Sequence, residues 1–303
     1  MRGAARASLS GDVLRCVHYN VRRCIDPASG ESSRERVVST IASLRPHILS
    51  LNEVDIEKTP TLLDELGAIG LKHSAFFGHV RNGTYGNALL STEPFDRVER
   101  THLDGGTVVR TKSGGTHRIA RGLLSARFTV LGVHALLAVT HLDHMDAAER
   151  AEQMRHVLRV LDAGATTTTT LLLGDLNALS RADYTADEWQ AHAAHNAARG
   201  WAAPHDDASA DGALARLGGA GFVDCAASVA HRPTCAWPTP PWTAHLRAAG
   251  PHYRIDYCWL RSSSRPQGRS LVPLAAHVEP AADASDHQPL VVDLEAISFD
   301  AGE

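Results

Sequence analysis

LLLGDLN (residues 171–177) and SDHQPL (residues 285–290) are the two stretches that decide the fold of this chain. Each joins acid, amide or imidazole groups to apolar residues. Apolar runs of this length are typical of buried strands, and polar groups where such strands end face a cleft. Three more stretches have the same form: VHYN (17–20), LSLNEV (49–54) and VTHLDH (139–144). The pattern predicts that several strand ends meet at one site.

Composition limits the class of protein. The chain has 303 residues, 44% of them hydrophobic, which is enough to bury a large core. No apolar run approaches the roughly 18 residues of a membrane span, so we expect no transmembrane segment. The formal net charge of -4 does not favour nonspecific binding of long nucleic acids, because proteins that do so usually carry a basic surface.

The domain organisation follows from where the regular patterns begin and end. We expect one domain over 13–296, preceded by a disordered terminus (1–12) and followed by a short tail (297–303). Within the domain, residues 179–252 are rich in alanine, histidine, proline and tryptophan. Such a stretch is typical of a loop-rich elaboration that borders a cleft. No partner protein is evident.

Cysteine usage indicates the compartment. The five cysteines are an odd number, and no secretory signal precedes them, which argues against a disulfide framework. We therefore expect a reducing, cytoplasmic environment. The first dozen residues carry two arginines and no acid before Asp12, so a short N-terminal targeting sequence stays an alternative.

Strands and helices are interleaved along the chain. Helical periodicity predicts helices over Ser32–Leu44, Ala147–Leu161 and Asp183–Gly200, the first with capping-box spacing at its start. Pro60 is expected at the first position of a further helix. Strands are predicted over Val13–Val21, Ile48–Val54, Asn87–Ser91, Leu123–Phe128, Ala135–His141, Thr168–Leu173, Ile255–Leu260 and Leu290–Leu294.

Acidic and amide residues at the predicted strand ends fit phosphoester hydrolysis. That reaction needs charge neutralised on oxygen, a water aimed at phosphorus and help for the leaving oxygen. Mg²⁺ prefers carboxylate ligands, and Glu53 ends an apolar run where an unpaired acid is costly. Asp175 and Asn177 end another run, two residues apart and so on one side of the chain, where they can orient a water and bind an oxyanion.

Imidazole and guanidinium groups supply the positive charge that a phosphate requires. His287 follows Asp286, and Asp256 opens another strand. A carboxylate bonded to one imidazole nitrogen orients the ring and favours its protonated form. His141 closes a strand, and Arg121 opens one, where its guanidinium can bind phosphate oxygens. The combined pattern predicts a metal-dependent phosphoesterase.

Eight blocks in this order resemble the endonuclease/exonuclease/phosphatase superfamily, which includes deoxyribonuclease I and the exonuclease III type repair enzymes. The resemblance spans residues 13–295; each block is weak alone, but their shared order is specific. The blocks are YNVR (19–22), LNEV (51–54), YGNALLS (85–91), RGLLSARF (121–128), THLDH (140–144), LLLGDLN (171–177), RIDY (254–257) and SDHQPL (285–290).

The resemblance implies a fold and a cofactor. The fold is α/β, a four-layer α-β-β-α sandwich of two mixed β-sheets flanked by helices, as in deoxyribonuclease I. The cofactor is Mg²⁺ or Mn²⁺, with Asn20, Glu53 and Asp286 beside it. Asp175 is similar to the residue that positions the attacking water.

The resemblance also implies roles toward the substrate. Asn177 is similar to the amide that braces water or phosphate, and His287, paired with Asp256, to the imidazole that contacts phosphate. Other matching positions are secondary phosphate contacts or lie near the scissile group: His141, Arg121, Tyr85 and Asn87.

Departures from the family pattern narrow the choice of activity. Arg22 stands where exonuclease III type enzymes carry an aspartate, and the basic loops of abasic-site enzymes are not evident, which disfavours abasic-site repair. Asn52 replaces the glutamine common before the metal glutamate, but keeps an amide at that position.

Two substrate classes are possible for an enzyme of this kind, and a third interpretation is a protein without catalytic activity. A small-molecule or lipid phosphodiester is slightly favoured by the charge balance, with Trp201, Trp237 and Trp242 as an apolar rim. A nuclease acting on DNA or RNA predicts an arginine-lined groove and steep salt dependence. A catalytically silent binding scaffold predicts loss of an acid or imidazole of the site, and none of these residues is lost.

Overall fold

The apolar runs form strands, and amphipathic segments between them form helices. The computed structural model describes residues 12–110, 114–163, 168–230, 237, 251–263 and 268–298. The strands are β1 (Val13–Asn20), β2 (Ile48–Asp55), β3 (His73–Val80), β4 (Tyr85–Ser91), β5 (Phe95–His102), β6 (Val108–Arg110), β7 (Thr116–Arg118), β8 (Gly122–Val130), β9 (Val133–His141), β10 (Thr169–Asp175), β11 (Val223–Asp224), β12 (Asp256–Arg261), β13 (Arg269–Val278) and β14 (Leu290–Ser298). The α-helices are α1 (Arg34–Leu44), α2 (Leu62–Ala68), α3 (Ala147–Asp162), α4 (Ala186–Ala198), α5 (Ala213–Gly219) and α6 (Cys225–Val229).

Both large sheets are mixed. The first has the strand order β13-β14-β1-β2-β4-β3, and the second has the order β11-β12-β10-β9-β8-β5. β1 pairs with β2 in parallel, as β9 does with β10, whereas the other neighbours are antiparallel. The parallel pairs place the carboxyl ends of four central strands at one end of the sandwich.

Alternation along these strands sends successive side chains to opposite faces. Leu14 and Cys16 of β1 join Leu171 and Leu173 of β10 in one buried cluster between the sheets. Val17 of β1 points outward into a second cluster. The sheets therefore pack face to face through alternate residues of each strand.

Helices cover the outer faces of both sheets. Val37 and Ile41 of α1 pack with Val17 on the first sheet. Met154 of α3 packs with Leu172 on the second sheet. The layers run helix, sheet, sheet, helix, which confirms the predicted α/β sandwich of two mixed sheets flanked by helices.

Three long strands, β3, β5 and β13, were not predicted from the sequence. Each lies at an edge of its sheet. β5 has no fully buried residue and reads FDRVERTH. An edge strand buries less surface, so it lacks the apolar run on which strand prediction depends.

The end of the domain and one helix start also differ from prediction. β14 continues to Ser298, so residues 297 and 298 belong to the sheet rather than to the predicted tail. α1 begins at Arg34 with Ser33 at its N-cap, and no side chain makes a capping hydrogen bond, so the capping box is wrong. The Ser33 hydroxyl instead donates to the carbonyl of Ala284 (2.5 Å). This bond holds the segment that leads to Asp286.

α2 begins at Leu62, so the predicted start at Pro60 is also wrong. The Thr59 hydroxyl donates to the carbonyl of Asp55 (2.8 Å), and the intervening residues form a turn. The helix therefore starts after this turn rather than at the proline.

The stretch after β10 carries α4, α5 and α6. α4 begins behind a capping box formed by Thr185 and Glu188, and it is shorter than the predicted 183–200 at both ends. Trp189 of this helix packs against the ring of Tyr184. The aromatic contacts hold α4 against the end of the sandwich that carries the strand termini.

Arg254 fastens this stretch to β12. Its buried guanidinium donates to Asp183 Oδ2 (3.0 Å) and Asp224 Oδ2 (2.6 Å). Burial acts to lower the pKa of Arg254, but Tyr257 and the two acids raise it above its usual value. A buried charge is tolerated when acids pair with it. Because Asp256 is two residues away, this cluster also holds the start of β12.

Most of the predicted disordered terminus and most of the predicted tail fall outside the part of the chain that the structure describes. Residues 1–11 and 299–303 lie outside the described residues, as do Trp242 and Cys235. The other four cysteines are buried free thiols. No helix in the described parts of the chain has the length and apolar character needed to span a membrane.

Gly174 provides a test of how closely the second sheet is packed beside the site. A Cβ atom at Gly174 would lie 2.0 Å from the carbonyl oxygen of Thr140 on β9. We expect Gly174→Ala to lower the free energy of unfolding by about 1–3 kcal/mol, the usual cost of overpacking a filled core. Urea denaturation measures this change. Gly218→Ala is the matched control, because nothing lies within 4 Å of a Cβ there, and an equal loss in both variants would contradict the packing argument.

Candidate active site

The predicted site residues meet where the central strands end. Asn20 ends β1, His141 ends β9 and Asp175 ends β10. Asp175 pairs with His141 on one side and with Asp256 on the other in the register of the second sheet. Packing of the two sheets brings Asn20 of the first sheet to this row.

Asp175 lies at the centre of the group. Asn20 Nδ2 donates to Asp175 Oδ2 (3.0 Å) and lies 3.2 Å from Glu53 Oε1. The Nε2 atoms of His141 and His287 are 3.5 Å and 3.6 Å from Asp175 Oδ2. Burial and the charge of Asp256 raise the pKa of Asp175 to about 7. Asp175 can therefore exchange a proton near neutral pH.

His287 and Asp256 form a buried pair. His287 Nδ1 lies 2.8 Å from Asp256 Oδ2. Burial acts to lower the pKa of His287, but the charge of Asp256 and this hydrogen bond raise it to about 10. Burial acts to raise the pKa of Asp256, yet His287 and a hydrogen bond from His18 hold it below its usual value. At neutral pH the pair is an imidazolium bonded to a carboxylate.

Asn177 supports the end of β10. Its backbone N–H donates to Asp175 Oδ1 (3.0 Å), and its side-chain Nδ2 donates to the carbonyl of Leu142 (3.1 Å). Asn177 has a left-handed backbone (φ 48°), a conformation that asparagine adopts more readily than most residues. The side chain lines the cleft and shapes the turn that carries Asp175.

Asn87 lies below the cleft and connects the two sheets. Its Nδ2 donates to the carbonyl of Gly122 (2.9 Å), and its Oδ1 accepts from Asn52 Nδ2 (2.9 Å). Asn52 Oδ1 in turn accepts the backbone N–H of Asp175 (2.8 Å). The structure thus places Asn87 in a buried amide chain that positions Asp175, and not among the residues that line the cleft.

Glu53 and Tyr85 form one wall of the cleft. Glu53 has a left-handed backbone (φ 58°), and the β2–β4 pairing shifts register between Leu51 and Val54. Such an irregularity re-aims a side chain that regular alternation would send elsewhere. Burial and the neighbouring Glu53 raise the pKa of Tyr85 above its usual value, so its hydroxyl stays protonated.

Arg121 lines the cleft together with His144, close to Tyr85. The Arg121 guanidinium is buried, and its Nη2 lies 3.2 Å from His144 Nδ1. Burial lowers the pKa of Arg121. Within the described parts of the chain, Arg121 Nε has no hydrogen-bond partner. A buried guanidinium with spare donors, in a cleft, fits an anionic group.

Asp286 closes the group from the segment before β14. Its Oδ2 lies 3.4 Å from Trp237 Nε1 and 3.5 Å from Arg22 Nε. Burial and the charge of Glu53 raise the pKa of Asp286, although His287 and Arg22 act in the opposite direction. Asp286 lines the same cleft as Glu53 and His287.

The acids of the site fit a divalent cation. Ligand atoms of Asp175, Asp256 and His287 lie within 4.8 Å of one another. His287 and Asp256 bond each other, and the carboxylates of Glu53 and Asp286 line the same cleft beside them. Burial is the largest cause of the raised pKa values of Asp175 and Asp286, and the neighbouring acids Asp256 and Glu53 add to it. Carboxylate oxygens are the ligands that Mg²⁺ prefers.

One residue of the network, His18, was not predicted as a site residue. Its Nε2 lies 3.1 Å from Asp256 Oδ1 and its Nδ1 lies 2.9 Å from Ser50 Oγ. The signal was present in VHYN, because His18 and Asn20 are two residues apart and so share one face of β1.

The cleft that holds these groups has a volume of about 850 Å³. Besides its acidic and basic groups, the cleft is lined by aromatic and aliphatic residues, which include Trp201, Trp237, Tyr253 and Ile255. The predicted rim residues Trp201 and Trp237 therefore both border the cleft.

Comparison with known proteins identifies relatives of this architecture. The model of the Endonuclease/Exonuclease/phosphatase family matches residues 17–287. An endonuclease/exonuclease/phosphatase structure from Beutenbergia cavernae is 22% identical, with a TM-score of 0.64 over 94% of this chain and 72% of that one. D. rerio TDP2 complexed with single strand DNA product is 18% identical (TM-score 0.57; 93% and 99% covered). Sphingomyelinase C from Streptomyces griseocarneus is 16% identical (TM-score 0.58; 93% and 99% covered). No curated protein sequence matches.

The amide chain through Asn87 leads to a stability prediction. Asn87→Leu leaves Asn52 Nδ2 with only a long bond to the Leu51 carbonyl (3.4 Å), while the Gly122 carbonyl keeps the hydroxyl of Thr140 (3.2 Å). We expect the free energy of unfolding to fall by about 1–3 kcal/mol, the cost of an unsatisfied buried polar group. Urea denaturation measures the loss. Unchanged stability together with lost hydrolysis would contradict a connecting role and favour direct contact with substrate.

Proposed function

The chain belongs to the endonuclease/exonuclease/phosphatase family, and from that membership and the site geometry we propose that it is a divalent-metal-dependent phosphodiesterase that uses direct attack by water. One observation carries the proposal: Asp175, the His287–Asp256 pair and the acids Glu53 and Asp286 meet at one cleft. This set combines a proton acceptor, a buried cation and carboxylates for a metal. Phosphoryl transfer depends on these three kinds of group.

Asp175 is the group that we assign to the attacking water. Its pKa of about 7 lets it accept a proton near neutral pH. Asn20 and the backbone N–H of Asn177 each donate to one of its oxygens, so the carboxylate has a set orientation. A fixed acceptor aims the water along one line toward phosphorus.

His287 and Arg121 are the groups that we assign to phosphate oxygens. His287 is protonated at neutral pH because Asp256 raises its pKa. Its Nδ1 is bound to Asp256, so Nε2 is the nitrogen that faces the cleft and can donate to a substrate oxygen. A preorganised donor stabilises charge that develops in the transition state. Arg121 lines the same cleft, and within the described parts of the chain its Nε donor has no partner.

The carboxylates of Glu53 and Asp286 are the groups that would hold Mg²⁺ or Mn²⁺. When bound, the ion would neutralise charge on a phosphoryl oxygen and lower the pKa of a coordinated water. Tyr85 bonds Glu53 and so helps to orient its carboxylate. Arg22 and Trp237 do the same for Asp286.

A small-molecule or lipid phosphodiester fits the cleft best. The exposed ring of Trp201 and the partly buried ring of Trp237 line it, and an organic group packed against them would lose water-exposed surface. The arginines of the described cleft lining are Arg121 and Arg150, both buried, and Arg150 is already paired with Asp207 (2.9 Å). These arginines do not form a track along a phosphate backbone.

A nuclease is the second candidate. The exposed indole of Trp201, with Arg199 over its ring, is a surface on which a nucleic-acid base can stack. One of the similar structures, D. rerio TDP2, contains a single strand DNA product. Stacking on one tryptophan requires a single-stranded or flipped base, so this candidate is limited to such substrates.

Asp175→Asn tests the reaction. The variant keeps the shape of the side chain but removes the proton acceptor, so turnover of bis-p-nitrophenyl phosphate with Mg²⁺ should fall at least roughly a hundredfold. The melting temperature is measured in parallel to show that the variant is folded, because an amide can accept only one of the two hydrogen bonds that Asp175 receives from Asn20 and Asn177.

The controls for this test separate the site from general effects. Asp96→Asn alters an exposed acid outside the cleft and should leave turnover unchanged. A chelator should abolish wild-type turnover, and added Mg²⁺ or Mn²⁺ should restore it. Full activity of Asp175→Asn, or full activity in chelator, would contradict the proposed mechanism.

Substrate preference is tested with sphingomyelin, phosphoinositides, RNA and single- and double-stranded DNA. We expect the lipid or small phosphodiesters to be the best substrates. Trp201→Ala should then raise KM roughly tenfold, since burying an apolar side chain contributes about 1.5 kcal/mol or more. Leu274→Ala, an equally exposed residue on β13, is the matched control.

Each other outcome of the substrate panel has a defined meaning. Preference for DNA or RNA, with rates that fall steeply with salt, would support the nuclease. Hydrolysis of no substrate by a protein that binds Mg²⁺ would favour the binding-scaffold interpretation.

A further inference from the structure

We propose that His18 is a positioning residue for the reaction, acting through Asp256 to set the orientation of His287; the inference rests on the proposed function. His18 is buried and does not line the cleft. Its contacts are therefore with the protein interior, and any effect on the substrate must pass through a neighbour.

Asp256 receives one imidazole at each carboxylate oxygen. His18 Nε2 lies 3.1 Å from Oδ1, and His287 Nδ1 lies 2.8 Å from Oδ2. Two partners on different oxygens restrict rotation of the carboxylate, whereas one partner would leave it free to turn. The plane of the Asp256 carboxylate determines where the His287 ring points.

The bond to Asp256 determines that His18 Nε2 carries a proton. Asp256 is ionised and can only accept, so His18 Nε2 must donate. The other nitrogen, Nδ1, lies 2.9 Å from Ser50 Oγ, and a hydroxyl can either donate or accept there. The result is a hydrogen-bonded chain from Ser50 through His18 to Asp256, with His287 bonded to the other oxygen of Asp256.

His18 lies between the two sheets, where its side chain bonds Ser50 and Asp256. His18 of β1 pairs with Ser50 of β2 in the parallel register. Cys16, two residues earlier on the same face, lies in the apolar core between the sheets. Asp256 belongs to the other sheet. His18 therefore spans the interface between the sheets, one level below the residues that line the cleft.

The test compares His18→Ala with His18→Gln, whose amide can still donate to Asp256. We expect His18→Ala to lower kcat roughly tenfold to a hundredfold, the usual effect of losing a group that orients a reacting one, with little change in KM. His18→Gln should recover most of kcat. Cys16→Ala is the matched control on the same face, and it should lower the melting temperature but leave kcat unchanged.

Combining the His18 and His287 variants distinguishes a positioning role of His18 from a general loss of structure. In a His287→Ala background, His18→Ala should cause no further loss of kcat, because the group through which it acts is already gone. Equal losses in both backgrounds, or failure of His18→Gln to recover more activity than His18→Ala, would overturn the proposal.

A substrate-free measurement separates this inference from the proposed function. In protein with ¹⁵N-labelled histidine, NMR should show a proton on His18 Nε2, with the His287 Nδ1 proton signal shifted in His18→Ala. A His18 Nε2 atom that carries no proton would overturn the proposal even in an active enzyme. The expected spectra in a protein that hydrolyses nothing would instead reject the proposed function and keep the hydrogen-bond chain.

Discussion

Two buried carboxylates, of Asp175 and Asp256, lie opposite each other on neighbouring strands, and the rest of the site depends on them. Like charges this close in a buried setting raise the free energy of the folded state unless other groups compensate. The compensation is unequal. Asp256 is bonded by two imidazoles and keeps a low pKa, whereas Asp175 is bonded by an amide and a backbone N–H and has a pKa of about 7. These different surroundings suit Asp256 to orient the imidazolium of His287 and Asp175 to accept a proton.

The same compensation explains why polar groups persist between two apolar sheets. Along β1 the inward residues change from Leu14 and Cys16 to His18 and Asn20. The core between the sheets therefore becomes polar only at the carboxyl end of this strand. His18 and Asn20 each bond an acid of the other sheet, and the amide of Asn52 reaches the backbone of Asp175. The apolar part holds the sheets together, and the polar part sets their relative position at the cleft.

Prediction from sequence succeeded where burial was periodic and failed where it was not. The central strands and the α/β sandwich were predicted because their apolar runs are local signals, and the family match confirms the resemblance. The edge strands β3, β5 and β13 were missed because half-exposed strands carry a weaker pattern. The start of α1 was misplaced because Ser33 bonds Ala284, a residue remote in sequence. His18 was passed over because its partner Asp256 is 238 residues away.

The sequence by itself determined which strands are buried, which polar residues end them and which family the chain resembles. These properties depend on residue type and spacing along a few positions, so they can be read without coordinates. Only the tertiary structure decided which atom meets which: that Asn87 connects the sheets below the cleft, that Asp256 is shared by two histidines, and that Trp201 borders the cleft. Those outcomes depend on strand order and on the packing of one sheet against the other, and both bring together residues that no local pattern relates.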